Sequence, residues 1–162
     1  MSQTARKLYL IPLAIFGIIG LAVLLLFGQA KKNPQSVIKE LLWELGISEP
    51  TIKFWTAVSA LETDFWKSRV FKDSNNLFCI IVPGSKRLQY GEGQTIFANI
   101  EDSIIGPEGL YKRVLKPFKY PAHVQSLDEL VSAMKQRGYF TSDAKAYLQR
   151  LKQVYTQLYP ND

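Results

Sequence analysis

Glu62 is the residue of this sequence best placed to do chemistry. It follows Val58 by four positions and Trp55 by seven, so on a helix the three side chains share one face. Phe65 and Trp66 lie three and four positions further along. Apolar surroundings disfavour an ionised carboxylate and raise its pKa. A carboxylic acid still protonated near neutrality can protonate the leaving-group oxygen of a glycoside. On spacing alone, an exposed glutamate at a helix end is the simpler interpretation.

Most metal and redox chemistries are excluded by the residue counts. The chain has one cysteine, Cys79, and one histidine, His123. One cysteine excludes an intramolecular disulfide framework and a cysteine-rich zinc site, and one histidine excludes a multi-histidine metal centre. The sequence contains no motif typical of a phosphate-binding loop or a metal site. We therefore expect neither a cofactor nor a metal.

The hydrophobic fraction, 47% of 162 residues, is distributed unevenly. Residues 8–28 contain no charged side chain and are long enough to cross a bilayer as a helix. Basic pairs at 6–7 and 31–32 flank this segment equally, so the positive-inside rule does not orient it. We predict an uncleaved transmembrane anchor at 8–28 after a short tail, residues 1–7. A signal peptide cleaved near 28–30 is the alternative.

The rest of the chain is long enough for one domain, which we place at residues 35–160 after a linker at 29–34. Residues 1–30 contain two of the 20 basic residues and none of the 14 acidic ones, so the net charge of +6 falls to +4 beyond them. This charge is too small to indicate a nucleic-acid partner. It suits a weakly anionic polymer or a membrane surface.

Capping residues and helical spacing predict that this domain is mostly helical. Asn33-Pro34 is typical of a helix start, Gly46 of a helix end, and Ser126 with Glu129 forms a capping box. We predict helices over 33–46, from 48 to the Phe65 region, over 99–105, from there to about 116, over 126–138 and over 142–158.

One short β element interrupts the predicted helices. Residues 77–82 form a continuous β-prone run that ends at Pro83-Gly84. Residues 87–90 and 94–98 flank 91–93, which is typical of a hairpin turn. The predicted fold class is therefore mainly α with a small β-hairpin lobe, preceded by one transmembrane helix.

Three segments resemble the signature of bacterial cell-wall glucosaminidases. Residues 60–68 read ALETDFWKS and 75–78 read NNLF, where that family has an ALES-aromatic-GKS helix end followed by NNLFGIK. Residues 138–143 read GYFTSD and precede Tyr147, which is similar to the family segment GYATDP…YA. The resemblance covers about 35–158. It implies a lysozyme-like fold and endo-β-N-acetylglucosaminidase activity on peptidoglycan.

The resemblance assigns candidate catalytic residues. Glu62 matches the catalytic acid, and Tyr139 matches a cleft tyrosine that could steady the sugar or the developing oxocarbenium charge. Family members carry a second acidic residue in the β lobe, for which Glu92 is our candidate. A solvated glutamate at a hairpin tip is the alternative for Glu92. The 2-acetamido group of the substrate would then assist in place of a second carboxylate.

Further residues are candidates for substrate binding, and others depart from the family pattern. The binding candidates are Phe65, Trp66, Asn76, Phe78 and Tyr90, although an Asn75-Asn76 pair is also typical of a turn. Trp66 and Cys79 stand where the family has glycine, and Ile81 stands where it has lysine.

Three functions therefore stay open. The first is a membrane-anchored peptidoglycan hydrolase, and the second is a glycan-binding or envelope-assembly module that has lost hydrolysis. The third is an anchored structural protein that binds proteins of an envelope complex. The first implies a single-pass protein of the cytoplasmic membrane, with residues 31–162 outside the cytoplasm and glycan strands and the bilayer as its partners.

Overall fold

The computed structural model describes residues 32–116 and 124–162. Residues 33–162 form one compact unit, and its described part is helical. The helices are α1 (Pro34–Glu44), α2 (Glu49–Glu62), α3 (Arg69–Ser74), α4 (Asp102–Ile105), a π-helical turn (Tyr111–Leu115), α5 (Leu127–Gln136) and α6 (Ala144–Leu158). Most of the predicted helices are present with shifted boundaries, but the helix predicted to end at about 116 is only the π-helical turn, and α3 is not predicted.

The predicted helix starts are confirmed by side chains that cap them. The Asn33 carboxamide oxygen accepts a hydrogen bond from the Gln35 backbone N–H at 3.0 Å, and Pro34 is the first helical residue. At the start of α5, Ser126 Oγ accepts from the Glu129 N–H at 3.1 Å, while Glu129 Oε2 accepts from the Gln125 N–H. These bonds satisfy N–H groups that an uncapped helix would leave without partners.

Helix α2 lies at the centre of the core. It packs against both α1 and α6, and α5 packs against α6. Trp55, Ala57, Val58 and Ala60 are fully buried. Because α2 is buried almost all round, its hydroxyl groups must bond inside the protein, and Thr56 Oγ1 donates to a backbone carbonyl one turn earlier, at 2.8 Å.

Helix α2 ends sooner than the apolar stripe predicts. We expect Phe65 to continue the stripe of Trp55 and Val58, but the last helical residue is Glu62. Asp64, Phe65 and Trp66 all have left-handed backbone conformations, with φ of 50°, 50° and 61°. This turn redirects the chain immediately after Glu62.

The predicted transmembrane helix is not part of the observed fold. Within residues 32–116 and 124–162, no helix has both the length and the apolar character needed to cross a bilayer. The predicted anchor, 8–28, and the tail, 1–7, lie outside the described residues, as do residues 29–31, the first half of the predicted linker, 29–34.

The prediction of a β-hairpin lobe is wrong for the described part of the chain, which contains no strand. Pairing between 87–90 and 94–98 is reduced to one isolated bridge, between Arg87 and Thr95. The run 77–82 is not extended throughout, because Cys79 has a left-handed φ of 49°. A ladder needs continuous extended backbone, so none forms here.

Asn76 organises this irregular region instead. Its side chain is fully buried. Oδ1 accepts hydrogen bonds from the N–H groups of Phe78 and Ile80, at 3.3 and 3.0 Å. Nδ2 donates to the carbonyls of Ile80 and Thr95, at 2.8 and 3.2 Å. One carboxamide thus takes the place of the backbone pairing that a hairpin lobe would have supplied.

Replacing Asn76 with alanine should therefore destabilise the fold strongly. Asn76→Ala leaves several buried backbone groups without partners, and we expect the free energy of unfolding to fall by about 3 kcal/mol. The matched control is Asn99→Ala, because Asn99 is exposed and its Oδ1 bonds one N–H group, that of Asp102. That variant should lose about 1 kcal/mol or less. Urea unfolding of both variants measures the difference, and equal losses would contradict this role of Asn76.

Candidate active site

A cleft of about 810 Å³ opens beside the C-terminal end of α2. Its walls come from residues 78–83, the π-helical turn, residues 137–142 and the first turns of α6. Of the predicted site residues, Glu62, Phe78, Glu92 and Tyr139 line this cleft. The fold therefore brings the three predicted catalytic residues together.

Glu62 is the last residue of α2 and is partly buried in the cleft wall. Its Oε1 accepts a hydrogen bond from the Tyr147 hydroxyl at 2.7 Å. Burial raises the pKa of Glu62 above its usual value, and the charge of Glu92 adds to that increase. The Tyr147 hydrogen bond and the charge of Arg150 lower the pKa of Glu62, but the net shift is upward. The carboxyl is thus protonated at higher pH than an exposed glutamate.

Tyr147 holds the Glu62 carboxyl in place. It lies on α6, and its ring stacks on Phe140 with centroids 4.2 Å apart and planes 8° from parallel. Burial raises the pKa of Tyr147 far above its ordinary value, so its hydroxyl stays protonated and can donate. Tyr147 belongs to one of the motifs in the sequence, but its position in the chain predicts no contact with Glu62. Such a contact joins two helices far apart in the chain, and spacing along either helix gives no signal of it.

Tyr139 contributes to the cleft wall in a different way. Its hydroxyl donates to the backbone carbonyl of Phe78 at 3.1 Å, and its ring packs edge-on against Trp55 with centroids 6.0 Å apart. Further along the same wall, Lys135 Nζ donates to the carbonyls of Thr141 and Ser142, at 2.9 and 2.8 Å. Tyr139 therefore links the part of the wall formed by residues 137–142 to the part formed by residues 78–83.

Glu92 is exposed in the loop between Gly91 and Gly93 and lines the same cleft as Glu62. Both neighbouring glycines have positive φ, 65° and 70°, a conformation that glycine adopts without steric cost. The charge of Glu92 raises the pKa of Glu62 and contributes to the raised pKa of Cys79. The two candidate carboxylates are thus electrostatically coupled across one cleft.

Two aromatic residues predicted to bind substrate pack against the core instead of lining the cleft. Phe65 and Trp66 are both partly buried against it. Trp66 Nε1 donates to Ser59 Oγ at 3.0 Å, and its backbone N–H donates to Thr63 Oγ1 at 3.1 Å. These contacts stabilise the left-handed turn after Glu62.

Asn76 and Tyr90, also predicted to bind substrate, do not line the cleft either. Asn76 is buried among backbone groups, as described above. The Tyr90 hydroxyl donates to Asp73 Oδ2, and the Arg69 guanidinium lies 4.7 Å from the centre of the Tyr90 ring. Tyr90 therefore anchors the loop that carries Glu92 to helix α3.

Both positions at which the chain replaces a family glycine have left-handed backbone. Trp66 has φ of 61° and Cys79 has φ of 49°. This conformation costs a residue with a Cβ atom about 1–2 kcal/mol and costs glycine nothing. Positions 66 and 79 therefore both have a backbone conformation that glycine would adopt more readily than the residue present.

Cys79 is a neutral thiol beside the acid. Its Sγ donates to the backbone carbonyl of Glu62 at 3.2 Å. Burial, with smaller contributions from the charges of Glu62 and Glu92, raises the pKa of Cys79 to about 12. The thiolate is the nucleophilic form of cysteine, so this thiol is not suited to nucleophilic catalysis at neutral pH.

Three arginines also line the cleft, namely Arg113, Arg137 and Arg150. None of them is among the predicted site residues. They come from the π-helical turn, from the end of α5 and from α6. Arg150 lies three positions after Tyr147, so both project from one face of α6. That spacing is the one sequence signal that could have placed Arg150 near the site.

Comparison with known proteins adds no assignment, because no family model, curated protein or solved structure matches this chain.

The backbone conformation at Cys79 generates a stability prediction. Alanine normally stabilises a chain relative to glycine, but at positive φ the order reverses. We expect Cys79→Gly to be more stable than Cys79→Ala by about 1 kcal/mol, since both variants lose the same thiol and only glycine relieves the Cβ strain. Thermal unfolding of the two variants measures this difference. Greater stability of the alanine variant would show that residue 79 is not held in a left-handed conformation.

The Tyr147 hydrogen bond generates a prediction about proton affinity. This bond favours the ionised form of Glu62, so Tyr147→Phe should raise the pKa of Glu62 further above its usual value. NMR titration of ¹³C-labelled glutamate side chains measures the shift. Tyr155→Phe is the control, because Tyr155 also lies on α6 but donates to Asp162. A Glu62 pKa that falls or stays constant in Tyr147→Phe would rule out the contact.

Proposed function

We propose that this protein is a glycoside hydrolase that cleaves β-1,4 bonds after N-acetylglucosamine in peptidoglycan, with Glu62 as the general acid. The observation that carries the proposal is the partly buried Glu62 carboxyl, whose pKa is raised in an open cleft together with a second carboxylate. Most glycosidases use a pair of carboxyl groups for catalysis, one of them protonated. The three motif segments specify which glycan.

The hydrogen bond from Tyr147 determines which oxygen of Glu62 carries the proton. Oε1 accepts from the Tyr147 hydroxyl. In a neutral carboxylic acid one oxygen accepts and the other carries the proton, so the acidic proton lies on Oε2. A glycosidic oxygen within hydrogen-bond reach of Oε2 can then be protonated as the bond to the sugar breaks. Tyr147 acts through Glu62 and is therefore a positioning residue.

Glu92 supplies negative charge on the same cleft. As an ionised carboxylate it can stabilise the oxocarbenium-like transition state or activate the water that attacks it. If Glu92 is dispensable, the 2-acetamido group of the substrate takes this role, as in substrate-assisted glycosidases. Tyr139 keeps the cleft wall at Phe78 in place through its hydrogen bond.

The second candidate function is a glycan-binding or envelope-assembly module without hydrolysis. Cys79 favours it, because its side chain lines the cleft and its thiol contacts the backbone of Glu62 where the family has glycine. Trp66 does not support this alternative in the same way. Its large side chain does not narrow the cleft, because the indole donates to Ser59 and Trp66 does not line the cleft. Either function on peptidoglycan places the helical unit outside the cytoplasm, where proteins of an envelope complex are further candidate partners.

The proposal is tested by incubating the full-length protein with purified peptidoglycan and measuring hydrolysis. We expect new reducing ends that carry N-acetylglucosamine, identified by borohydride reduction and mass spectrometry. Glu62→Gln should lower the rate by at least about 100-fold, because it removes general-acid catalysis while keeping the shape of the side chain. The wild-type rate should fall as pH rises through the Glu62 pKa, because the acid must be protonated.

The matched control is Glu49→Gln, at the opposite end of the same helix and outside the cleft. It should retain the wild-type rate. Peptidoglycan binding without new reducing ends would support the non-hydrolytic module, and equal hydrolysis by wild type and Glu62→Gln would remove Glu62 from the reaction. Reducing ends that carry the muramic sugar would contradict the proposed bond specificity.

A further inference from the structure

Arg113, Arg137 and Arg150 give the cleft a cationic lining that general-acid catalysis does not explain. The first comes from the π-helical turn, the second from just after α5, and the third from α6. Three elements thus converge to place guanidinium groups on one cavity. Among residues 32–116 and 124–162, the cleft lining contains no lysine, and its carboxylates are Glu62 and Glu92. With Glu62 protonated, the lining carries more positive than negative charge.

We propose that these three arginines bind carboxylates of the glycan, and that they select an anionic glycan over a neutral one with the same backbone. The proposal rests on the proposed function in one respect, namely that a glycan occupies this cleft. It goes beyond that function by naming the substrate groups that are recognised and the residues that recognise them.

Tuning of Glu62 does not account for these charges. The Arg150 charge lowers the pKa of Glu62 and so opposes the burial that makes Glu62 an acid. Arg113 and Arg137 are not among the causes of the Glu62 shift. A cleft that needed a protonated Glu62 alone would do better with no cation beside it. The three arginines therefore have another use in this cleft, and recognition of a substrate anion suits their charge and their position in the lining.

Two of the guanidinium groups contact neighbouring side chains of the protein. Arg113 Nε pairs with Glu108 Oε2 at 3.0 Å, and this contact uses one of the five N–H donors of the guanidinium. The Arg150 guanidinium lies 5.9 Å from the centre of the Tyr147 ring. Restricting these flexible side chains in advance lowers the entropy lost when a ligand binds.

The chemistry of the ligand follows from the choice of arginine. A guanidinium matches the two oxygens of a carboxylate with parallel N–H donors, which a lysine ammonium cannot do. In peptidoglycan, a muramic sugar that carries a peptide presents the carboxylates of that peptide, because its own lactyl carboxyl is used in the amide bond to it. A muramic sugar without a peptide presents the free lactyl carboxylate. Both are the same chemical group within reach of a glycan chain, and a polymer of N-acetylglucosamine alone has neither.

The test measures binding with the full chain carrying Glu62→Gln, so that no ligand is hydrolysed. Three soluble ligands of equal length are compared, namely strands with peptides, strands stripped of peptides by an amidase, and neutral chito-oligosaccharides. We expect the two carboxylate-bearing ligands to bind about tenfold or more tightly than the neutral one at low salt. The preference should shrink at about 500 mM salt, where exposed charges are screened.

Substitutions in the same background locate the effect. Arg113→Gln and Arg150→Gln should each reduce the preference severalfold, and Arg150→Lys should restore only part of it, because lysine keeps the charge without the paired donors. Lys39→Gln is the control that removes one positive charge elsewhere, because Lys39 is exposed on α1 and does not line the cleft. Thermal unfolding of each variant identifies any loss that comes from misfolding. Arg137→Gln, whose parent residue is half-buried, tests the third arginine only if its unfolding temperature is preserved.

The outcomes separate this proposal from the proposed function. If stripped strands bind more tightly than peptide-bearing strands, the recognised carboxylate is that of the sugar. If peptide-bearing strands bind more tightly, it is that of the peptide. Either result supports the proposal. Equal binding of neutral and anionic ligands overturns it and leaves the cleft as a glycan site. If the wild-type protein binds anionic strands selectively but does not hydrolyse them, carboxylate recognition is supported and the hydrolase proposal fails. Failure of every glycan to bind overturns both.

Discussion

The burial of helix α2 over nearly its whole length is the constraint on which the site depends. Ala57, Val58 and Ala60 are fully buried between neighbouring helices, so the helix can neither rotate nor slide without opening the core. Its last residue, Glu62, is consequently fixed where the core meets the cleft. The same packing that stabilises the fold thus supplies the partly desolvated surroundings that raise the pKa of this carboxyl.

The cleft walls are held in position by contacts with aromatic residues of that core. Trp55 packs edge-on against Phe78 and against Tyr139, with ring centroids 6.1 and 6.0 Å apart. The Tyr139 hydroxyl closes the group by bonding the Phe78 carbonyl. One buried tryptophan on α2 therefore sets the position of two walls at once. Irregular segments such as 76–82 can form a defined surface because Trp55 and Asn76 hold them from inside.

Local rules predict the parts of this structure that local interactions determine. The caps at Asn33 and Ser126 are visible in the sequence because each involves residues two to four positions apart. The irregular middle region is not predictable in this way. Its β-prone run is redirected by Cys79 and by the bonds of Asn76 to Thr95, nineteen positions later, which no propensity encodes.

The same distinction explains which site residues the sequence could locate. Glu62 and Tyr139 follow from motif and spacing, since both stand at or just beyond a helix end. If α2 continued past Glu62, Phe65 and Trp66 would lie three and four positions further along the same face. The left-handed turn that begins at Asp64 removes them from that face, and three successive non-glycine residues in this conformation have no clear sequence signal. Tertiary bonds, such as that of the Trp66 indole to Ser59, compensate the local cost.

Glu62 is subject to opposing effects, and their balance is what an acid in an open cleft requires. Burial favours its neutral form, while the hydrogen bond from Tyr147 and the charge of Arg150 favour its ionised form. Tyr147 cannot be understood as a means of raising the pKa, because it lowers it. Its contribution is geometric, since a carboxyl fixed at Oε1 directs its remaining oxygen to one place. Burial outweighs both opposing effects, and α2 provides that burial by carrying Glu62 at the end of a helix whose preceding turns are buried.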